Sequence, residues 1–445
     1  MRPPPTRHDR EADRIAFGKA RRDRASRVGQ ARWKVPARRV DPVETLKGSL
    51  GCRLPELLPI KEARMSASPF GFFRGAVPVM AADLASLPRT GVEVQLCGDA
   101  HVRNLGAYAA PDGHLLFDIN DFDETIRGPF EWDLKRLATS VVLAGREAGA
   151  RDAACGDAVK ELISSFRTWI DRFHAMSPLE LFRYQVRRFS GVTTVERVLG
   201  KAERETPERT AAKLTVPAGR GLRRFAQRPP LLVRLAPALA RRVMSSLGRY
   251  RATLSDDRQL LLDVYRPVDA AFKVVGTGSV GARDYVVMLV TSDAAEPLFL
   301  QVKQEFASAY APFLKRAGHV TQQGQRVAQA QRRMQTLSDP FLGWTEIEGH
   351  HFLVRQLSDH KAAIEPDDLK GSALAEYARL AGELFAKAHA RTGDPAVIHG
   401  YCGESEKLDR AMARFAIAYA DQTAFDHAAF VKAIKAGKPR TRRRI

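Results

Sequence analysis

Two clusters in the chain carry residues whose types and spacing could do chemistry. The first is Gly98-Asp99-Ala100-His101-Val102-Arg103-Asn104, and the second is Phe117-Asp118-Ile119-Asn120-Asp121-Phe122-Asp123-Glu124. Like charges this close need a cation, a base or water to relieve them. An EF-hand loop is excluded, because it requires Gly at its sixth position and Glu at its twelfth. Counting from Asp118 gives Asp123 and Pro129, and counting from Asp121 gives Ile126 and Trp132. A solvated acidic turn is the plain alternative. Phosphoryl transfer fits better, since it uses one carboxylate to orient or deprotonate the attacking group, and an Asn with a second Asp to hold magnesium. Asn104 follows Asp99 by five residues and Asp118 follows it by nineteen. Asp99 and Asn104 are therefore the candidate catalytic residues. Asn104, Asp118 and Asp121 are the candidate magnesium ligands, with Asp123 available if the preceding strand ends late.

A third cluster, Val274-Val275-Gly276-Thr277-Gly278-Ser279-Val280-Gly281, contains a full GxGxxG. A dinucleotide site would have this motif open a helix. Here a β-branched, alternating run follows, Ala282 to Val290, which reads as a strand. A glycine turn between two strands suits backbone amides laid over nucleotide phosphates. Gly276, Gly278, Ser279 and Gly281 are thus candidate ATP contacts, as is Lys303 at the end of the next strand, Leu298 to Lys303. The helical segment after it, Gly324 to Gln335, offers Gln329 and Gln331 where an acid could pair with Lys303, and Glu305 is the nearest substitute.

The elements that must position these groups are readable in outline. Val92 to His101 reads as a strand entering a loop, and Leu105 to Asn120 as a hairpin around Pro111-Asp112-Gly113. Trp132 to Ala150 has helical spacing, with Leu134, Leu137, Val141 and Val142 on one face, and helices are expected to continue through Phe173. Arg197 to Pro237, rich in Arg, Thr and Pro, reads as a linker or exposed loop. A strand-rich block at 271–303 follows. The remainder reads as helical, apart from a strand pair within Trp344 to Leu357.

CGDAHVRN, FDIND and WDLKRLA resemble, in order, the catalytic loop, metal-binding strand end and following helix of the aminoglycoside phosphotransferase and choline kinase branch of protein-kinase-like folds. Cys97 stands where that branch usually has His, and Asp133 resembles the helix acid that braces the loop. SPFGFFRG, CGDAHVRNLG, FDINDFDE, GPFEWDLKRLA, VVGTGSVGAR, FLQVK, DPFLGW, AKAHARTGD and AYADQTAFDHAAF together are similar to a bacterial family, the domain of unknown function numbered 2252, over roughly residues 45–437. These resemblances imply an α+β, two-lobed, protein-kinase-like fold with a helix-rich catalytic lobe and a small β-rich nucleotide lobe. The glycine turn follows the catalytic loop instead of preceding it, so the implied fold is circularly permuted. The expected segments are a disordered basic tail at 1–40, the catalytic lobe at 41–265, the nucleotide lobe at 266–365, helices packing on the catalytic lobe at 366–437, and a second basic tail at 438–445. The implied activity is Mg2+- and ATP-dependent phosphate transfer to a hydroxyl of a small molecule or protein. AMP transfer and a non-catalytic nucleotide-binding pseudokinase are the alternatives.

Composition agrees with a globular chain. Its 445 residues are 44% hydrophobic, without an apolar run long enough for a transmembrane helix and without a signal-peptide pattern, so a cytoplasmic protein is expected. The four cysteines show no CxxC spacing, which favours free thiols over disulfides or zinc. The formal net charge is +20. Residues 1–40 hold thirteen Lys or Arg against four acids, and 432–445 hold seven bases and no acid. Such segments are expected to be solvated and to bind polyanions weakly.

Overall fold

The computed structural model describes residues 5–186, 192–204, 206–219, 222–274, 278–292, 297–314, 320–357 and 362–437. They form a mixed α+β structure with several antiparallel sheets. Four short strands come first: β1 (Glu93–Leu96), β2 (Leu105–Ala109), β3 (Leu115–Ile119) and β4 (Ile126–Pro129). β1 pairs with β4, and β2 with β3. The β2–β3 hairpin turns where Pro111-Asp112-Gly113 predicts it. Gly113 takes φ +82°, its amide donates to the Ala110 carbonyl at 2.9 Å, and Asp112 accepts from the His114 amide at 3.1 Å.

β4 runs directly into helix Phe130–Glu147, whose apolar face enters the main core with helices Asp152–Ala175, Ala373–Thr392 and Lys407–Lys435. The acids of its first turn serve the neighbouring loops. Glu131 accepts from both the amide and the hydroxyl of Thr90, at 2.7 and 2.8 Å.

The stretch expected to be a linker at 197–237 is structured instead. It holds helices Thr193–Glu203 and Pro207–Leu214, then β5 (Thr215–Gly219), β6 (Leu222–Phe225) and β7 (Leu232–Arg234). Sparse apolar residues among the arginines are what order it. Val195 and Val198 enter the main core, while Ala211, Phe225 and Leu232 pack on the larger sheet.

That sheet adds β8 (Arg266–Lys273), β9 (Asp284–Val290), β10 (Leu298–Gln304), β11 (Gly343–Ile347) and β12 (His350–Gln356) to β7, in the order β11-β12-β10-β9-β8-β7. β9 and β10 are buried on both faces. Val287, Leu289, Leu300 and Val302 meet Val243, Leu247 and Tyr250 on one side, and Val286, Met288 and Phe299 meet Ala211 and Phe225 on the other. The sheet unit thus begins near residue 207, not 266. It ends before β13 (Ala362–Ala363), which pairs with β2.

The N-terminal segment is also not a disordered tail. Helix Glu11–Ala20 packs on helix Pro395–Cys402 through a close crossing of Gly18 and Gly400, where a Cβ on either would strike the backbone of Val397 or Ile15. Its arginines turn inward to helix C-termini, where carbonyls lack partners and cations are favoured. Arg7 donates to Ala390 and Gly393, Arg22 to Gly400 and Tyr401, and Arg27 to Cys402. Arg39 bridges two buried acids, Asp83 at 2.7 Å and Asp426 at 2.5 Å. Burial disfavours its charge, but the two carboxylates outweigh this and raise its pKa. The expected tail at 438–445 lies outside the described residues. No described helix is long and apolar enough to cross a membrane.

Arg39→Ala would leave Asp83 and Asp426 buried without a cation. Removing one partner of a buried pair costs about 3–5 kcal/mol, so chemical denaturation of this variant should show a loss of at least about 3 kcal/mol. A near-neutral result would show that the Arg39 bridge contributes nothing to the fold.

Candidate functional site

The loop after β1 is held by one face of helix Phe130–Glu147. Asp133 accepts from the Cys97 amide at 2.7 Å and the Gly98 amide at 2.9 Å, and His389 Nε2 donates to it at 3.1 Å. Gly98 has φ +85°, and a Cβ there would strike the Glu124 carbonyl, so the turn requires glycine. One helical turn beyond Asp133, buried Arg136 donates to Asp99 Oδ1 through Nε (3.0 Å) and Nη2 (2.6 Å). Asn104 Nδ2 donates to the Asp99 carbonyl at 2.8 Å, which commits its amide nitrogen to the loop. His101 accepts from the Arg103 amide through Nδ1, so its neutral ring carries the proton on Nε2, 3.7 Å from Asp99 Oδ2. Burial, then Arg74 and Arg136, push its pKa well below the usual value. His101 is a neutral packing residue beside Asp99.

The acids of the second cluster separate into two groups. Asp118 lies within β3, opposite Gly106, and its carboxylate takes an ion pair from Lys387, both side chains being buried. Lys303 pairs with Asp123, and its Nζ is 3.9 Å from Asp121 Oδ1. The register explains the separation. β3 ends at Ile119, the Asn120 amide donates to the Asn104 carbonyl at 3.0 Å, and the chain then leaves the hairpin with Asp121 and Asp123 beyond its end. Burial and the neighbouring Asp123 raise the Asp121 pKa to about 6. Burial also opposes ionisation of Asp123, but Lys303 and a hydrogen bond from Asp121 prevail and hold its pKa low. Lys303 is buried too, yet Asp121 and Asp123 raise its pKa.

The glycine turn closes over these groups. Ser279 Oγ donates to Asp123 Oδ2 at 2.9 Å, and a Cβ on Gly278 would stand 3.9 Å from Asp99 Oδ2. Its backbone is gripped by a segment that precedes β1. The Leu54 amide donates to the Gly281 carbonyl (2.7 Å), Arg53 to Val280 (2.8 Å) and Lys61 to Gly278 (2.8 Å). Gly276 lies outside the described residues. Helix Gln323–Met334, packed on β11 and β12, brings a cation where an acid was sought. Arg326 donates to the carbonyls of Asp123, Thr125 and Phe306, fixing the backbone of the acidic loop. Glu305 shares the face of Lys303, but its Oε1 has no hydrogen-bond partner among the described residues. Burial and Asp123 raise its pKa well above the usual range. Arg74 also approaches Asp99, and its buried Nε has no hydrogen-bond partner among the described residues.

Of the residues singled out in the sequence, Ser279 and Lys303 meet on Asp123, Asp121 lies beside Lys303, Gly278 lies against Asp99 and Asn104 braces the Asp99 loop, while Asp118 belongs to a separate buried pair. Arg136, Arg326, Lys61 and Lys387 were not anticipated. A charged side chain inside an otherwise apolar helical run, as in LFAKAHA around Lys387, was the available signal for a buried partner.

A family described as an uncharacterized protein conserved in bacteria (DUF2252) has a model that matches residues 53–433. The chain belongs to this family. No curated protein and no solved structure matches it. The family match covers both the acidic loop and the glycine turn, so the meeting of the two is built from segments that lie within the family's own span.

Two substitutions separate the acids. Asp118→Asn strands the Lys387 charge in the core and should cost about 3 kcal/mol of stability in denaturant, whereas Asp121→Asn, at a third exposed, should cost much less. If the cluster is the magnesium site that the sequence suggests, divalent-cation affinity should fall with Asp121→Asn and be kept with Asp118→Asn at temperatures where both are folded. Because Asp121 holds a proton up to about pH 6, cation binding at this cluster should weaken as pH drops below about 6. Isothermal titration at pH 5 and 7.5 would detect it, and equal affinity at both would exclude Asp121 as a ligand.

Proposed function

We propose that this protein is an Mg2+- and ATP-dependent phosphotransferase of the protein-kinase-like type, circularly permuted, acting on a hydroxyl of a small molecule or protein. The observation that carries the proposal is the ion pair between Lys303 and Asp123, 180 residues apart in sequence. It joins a glycine turn, strand and lysine to an Asp-x4-Asn loop and an acidic strand end, the parts that phosphoryl transfer assembles. The run β8, glycine turn, β9, β10 with Lys303, then helix Gln323–Met334, supports reading the sheet unit as the nucleotide lobe.

The residues present suit a hard dication. Asp121, Asp123 and the Asn104 amide oxygen are oxygen donors, and Lys303 is the positive charge among them. Mg2+ held by these groups would neutralise charge on the transferred phosphoryl group. The chain's own residues divide the remaining work. Arg136 fixes Asp99 through Oδ1, leaving Oδ2 to accept the hydrogen of the attacking hydroxyl. Lys303 and Ser279 exchange Asp123 for nucleotide phosphates, and the amides of the 278–281 turn cover them. Arg74, whose buried Nε has no hydrogen-bond partner among the described residues, suits an anionic group on the acceptor or the departing phosphate.

A non-catalytic nucleotide-binding role has one observation in its favour, that Arg326 and not an acid faces the acidic loop from helix Gln323–Met334. Saturable ATP binding without product from any acceptor would select that role. Transfer of AMP would be recognised by the mass of the product.

Mg-ATP should raise the melting temperature, and Lys303→Ala should shrink the rise. Linkage gives about 2.7 kcal/mol at a hundredfold excess over Kd, and no response to any purine nucleotide would remove the nucleotide-lobe reading. Asp99→Asn should lower turnover by about 10²-fold or more, with nucleotide affinity retained. This variant also leaves buried Arg136 without its carboxylate, so a stability loss of about 3 kcal/mol is expected alongside. Turnover must therefore be compared well below its melting point, using an ATP-consumption screen over metabolites. Wild-type turnover by Asp99→Asn would disprove its role.

A further inference from the structure

A second cluster lies away from the acidic loop, at the packing surface of three helices. Asp171 and His174 stand one turn apart on helix Asp152–Ala175 and face His399 on helix Pro395–Cys402. One ligand atom from each lies within 4.8 Å of the other two. His174 Nε2 is 3.3 Å from Asp171 Oδ1, and His399 Nδ1 is 3.2 Å from the same oxygen. The two rings sit 4.3 Å apart.

The hydrogen bonding of His174 makes this arrangement informative. Its Nδ1 lies 2.7 Å from Glu11 Oε1, on the N-terminal helix. With a carboxylate on its far nitrogen, the ring presents Nε2 to the same Asp171 oxygen that His399 Nδ1 approaches, so three ligand atoms on two helices face one centre. The spacing suits this, because zinc bonds of about 2.0–2.2 Å at tetrahedral angles put ligand atoms roughly 3.3–3.6 Å apart. A carboxylate on the far nitrogen of a ligating histidine is the usual outer support of such a site, and Glu11 holds that position.

We propose that Asp171, His174 and His399 bind a zinc ion, with Glu11 fixing the His174 ring and water completing the coordination. Asp171 is 60% exposed, so the fourth position opens to solvent, and two nitrogens with one oxygen favour zinc over magnesium. The ion would staple helix Asp152–Ala175 to helix Pro395–Cys402 and, through Glu11, secure the N-terminal helix. This site is independent of the phosphotransferase reading, sharing no residue with it.

The test uses the full-length, untagged chain stripped with chelator and titrated with ZnCl2, with bound metal measured by mass spectrometry. One zinc per chain at micromolar or lower Kd, with a raised melting temperature, is expected, and MgCl2 should give no such shift. Asp171→Asn and His399→Gln should abolish stoichiometric binding. Asp171 is exposed, so its variant keeps the fold, which circular dichroism checks. Glu11→Gln should weaken affinity about 10–100-fold while keeping one site, an effect that a purely structural helix contact would not give. No stoichiometric zinc in the wild type, or equal binding by Asp171→Asn and His399→Gln, would overturn the proposal.

Discussion

A lysine buried on an interior strand of a sheet needs a carboxylate, and Lys303 finds it in Asp123. Taking an ammonium out of water costs several kcal/mol, recovered only through a close, well-bonded partner. That requirement docks the sheet unit against the helical unit in one orientation, since Asp123 lies on a loop built entirely by the other half of the chain. The rest of the site can be read as what this pair demands. β10 must expose Lys303 on the face shared with Gln301 and Phe299. The β2–β3 hairpin must end at Ile119 so that the acids emerge beyond it. Arg326 must hold the carbonyls of Asp123 and Thr125 so that the carboxylates stay aimed at the sheet.

Much of this was legible because local rules act over short spans. The hairpin around Pro111-Asp112-Gly113, the strand after the glycine turn and the helix beginning near Trp132 follow from turn chemistry and hydrophobic period alone. Asp133 was recognisable as the loop's brace because WDLKRLA repeats a pattern in which a helix acid follows an acidic strand end. Which of three aspartates meets Lys303 was not legible. The sequence favours Asp118 unless the strand ends late, and the choice depends on where β3 stops, a boundary set by its pairing with Asn104. The ion pair of Asp118 with Lys387 joins residues 269 apart, and no local pattern announces it.

The misreading of 197–237 and of the N-terminus has one cause. Composition averages over a window, whereas burial is decided residue by residue. Phe225, Leu232 and Val195 are enough to anchor an arginine-rich stretch, because each fills a place in a core whose other walls lie elsewhere in the chain. The N-terminal arginines likewise look solvated only when helix ends are ignored. A helix C-terminus leaves carbonyls without partners, and the ends at Ala390–Gly393 and Gly400–Cys402 together take Arg7, Arg22 and Arg27.

The same distinction bears on the net charge of +20. A surface reading would make the whole of it available for attracting polyanions. Several of these cations are instead internal: Arg39 between two acids, Arg136 on Asp99, Arg326 on three carbonyls, Lys387 on Asp118 and Lys303 on Asp123. Four of the five neutralise carboxylates, and Arg326 orders backbone. Part of the positive charge in this chain is therefore internal, and Arg136 on Asp99 with Lys303 on Asp123 lets two carboxylates come within reach of one glycine turn without repelling each other.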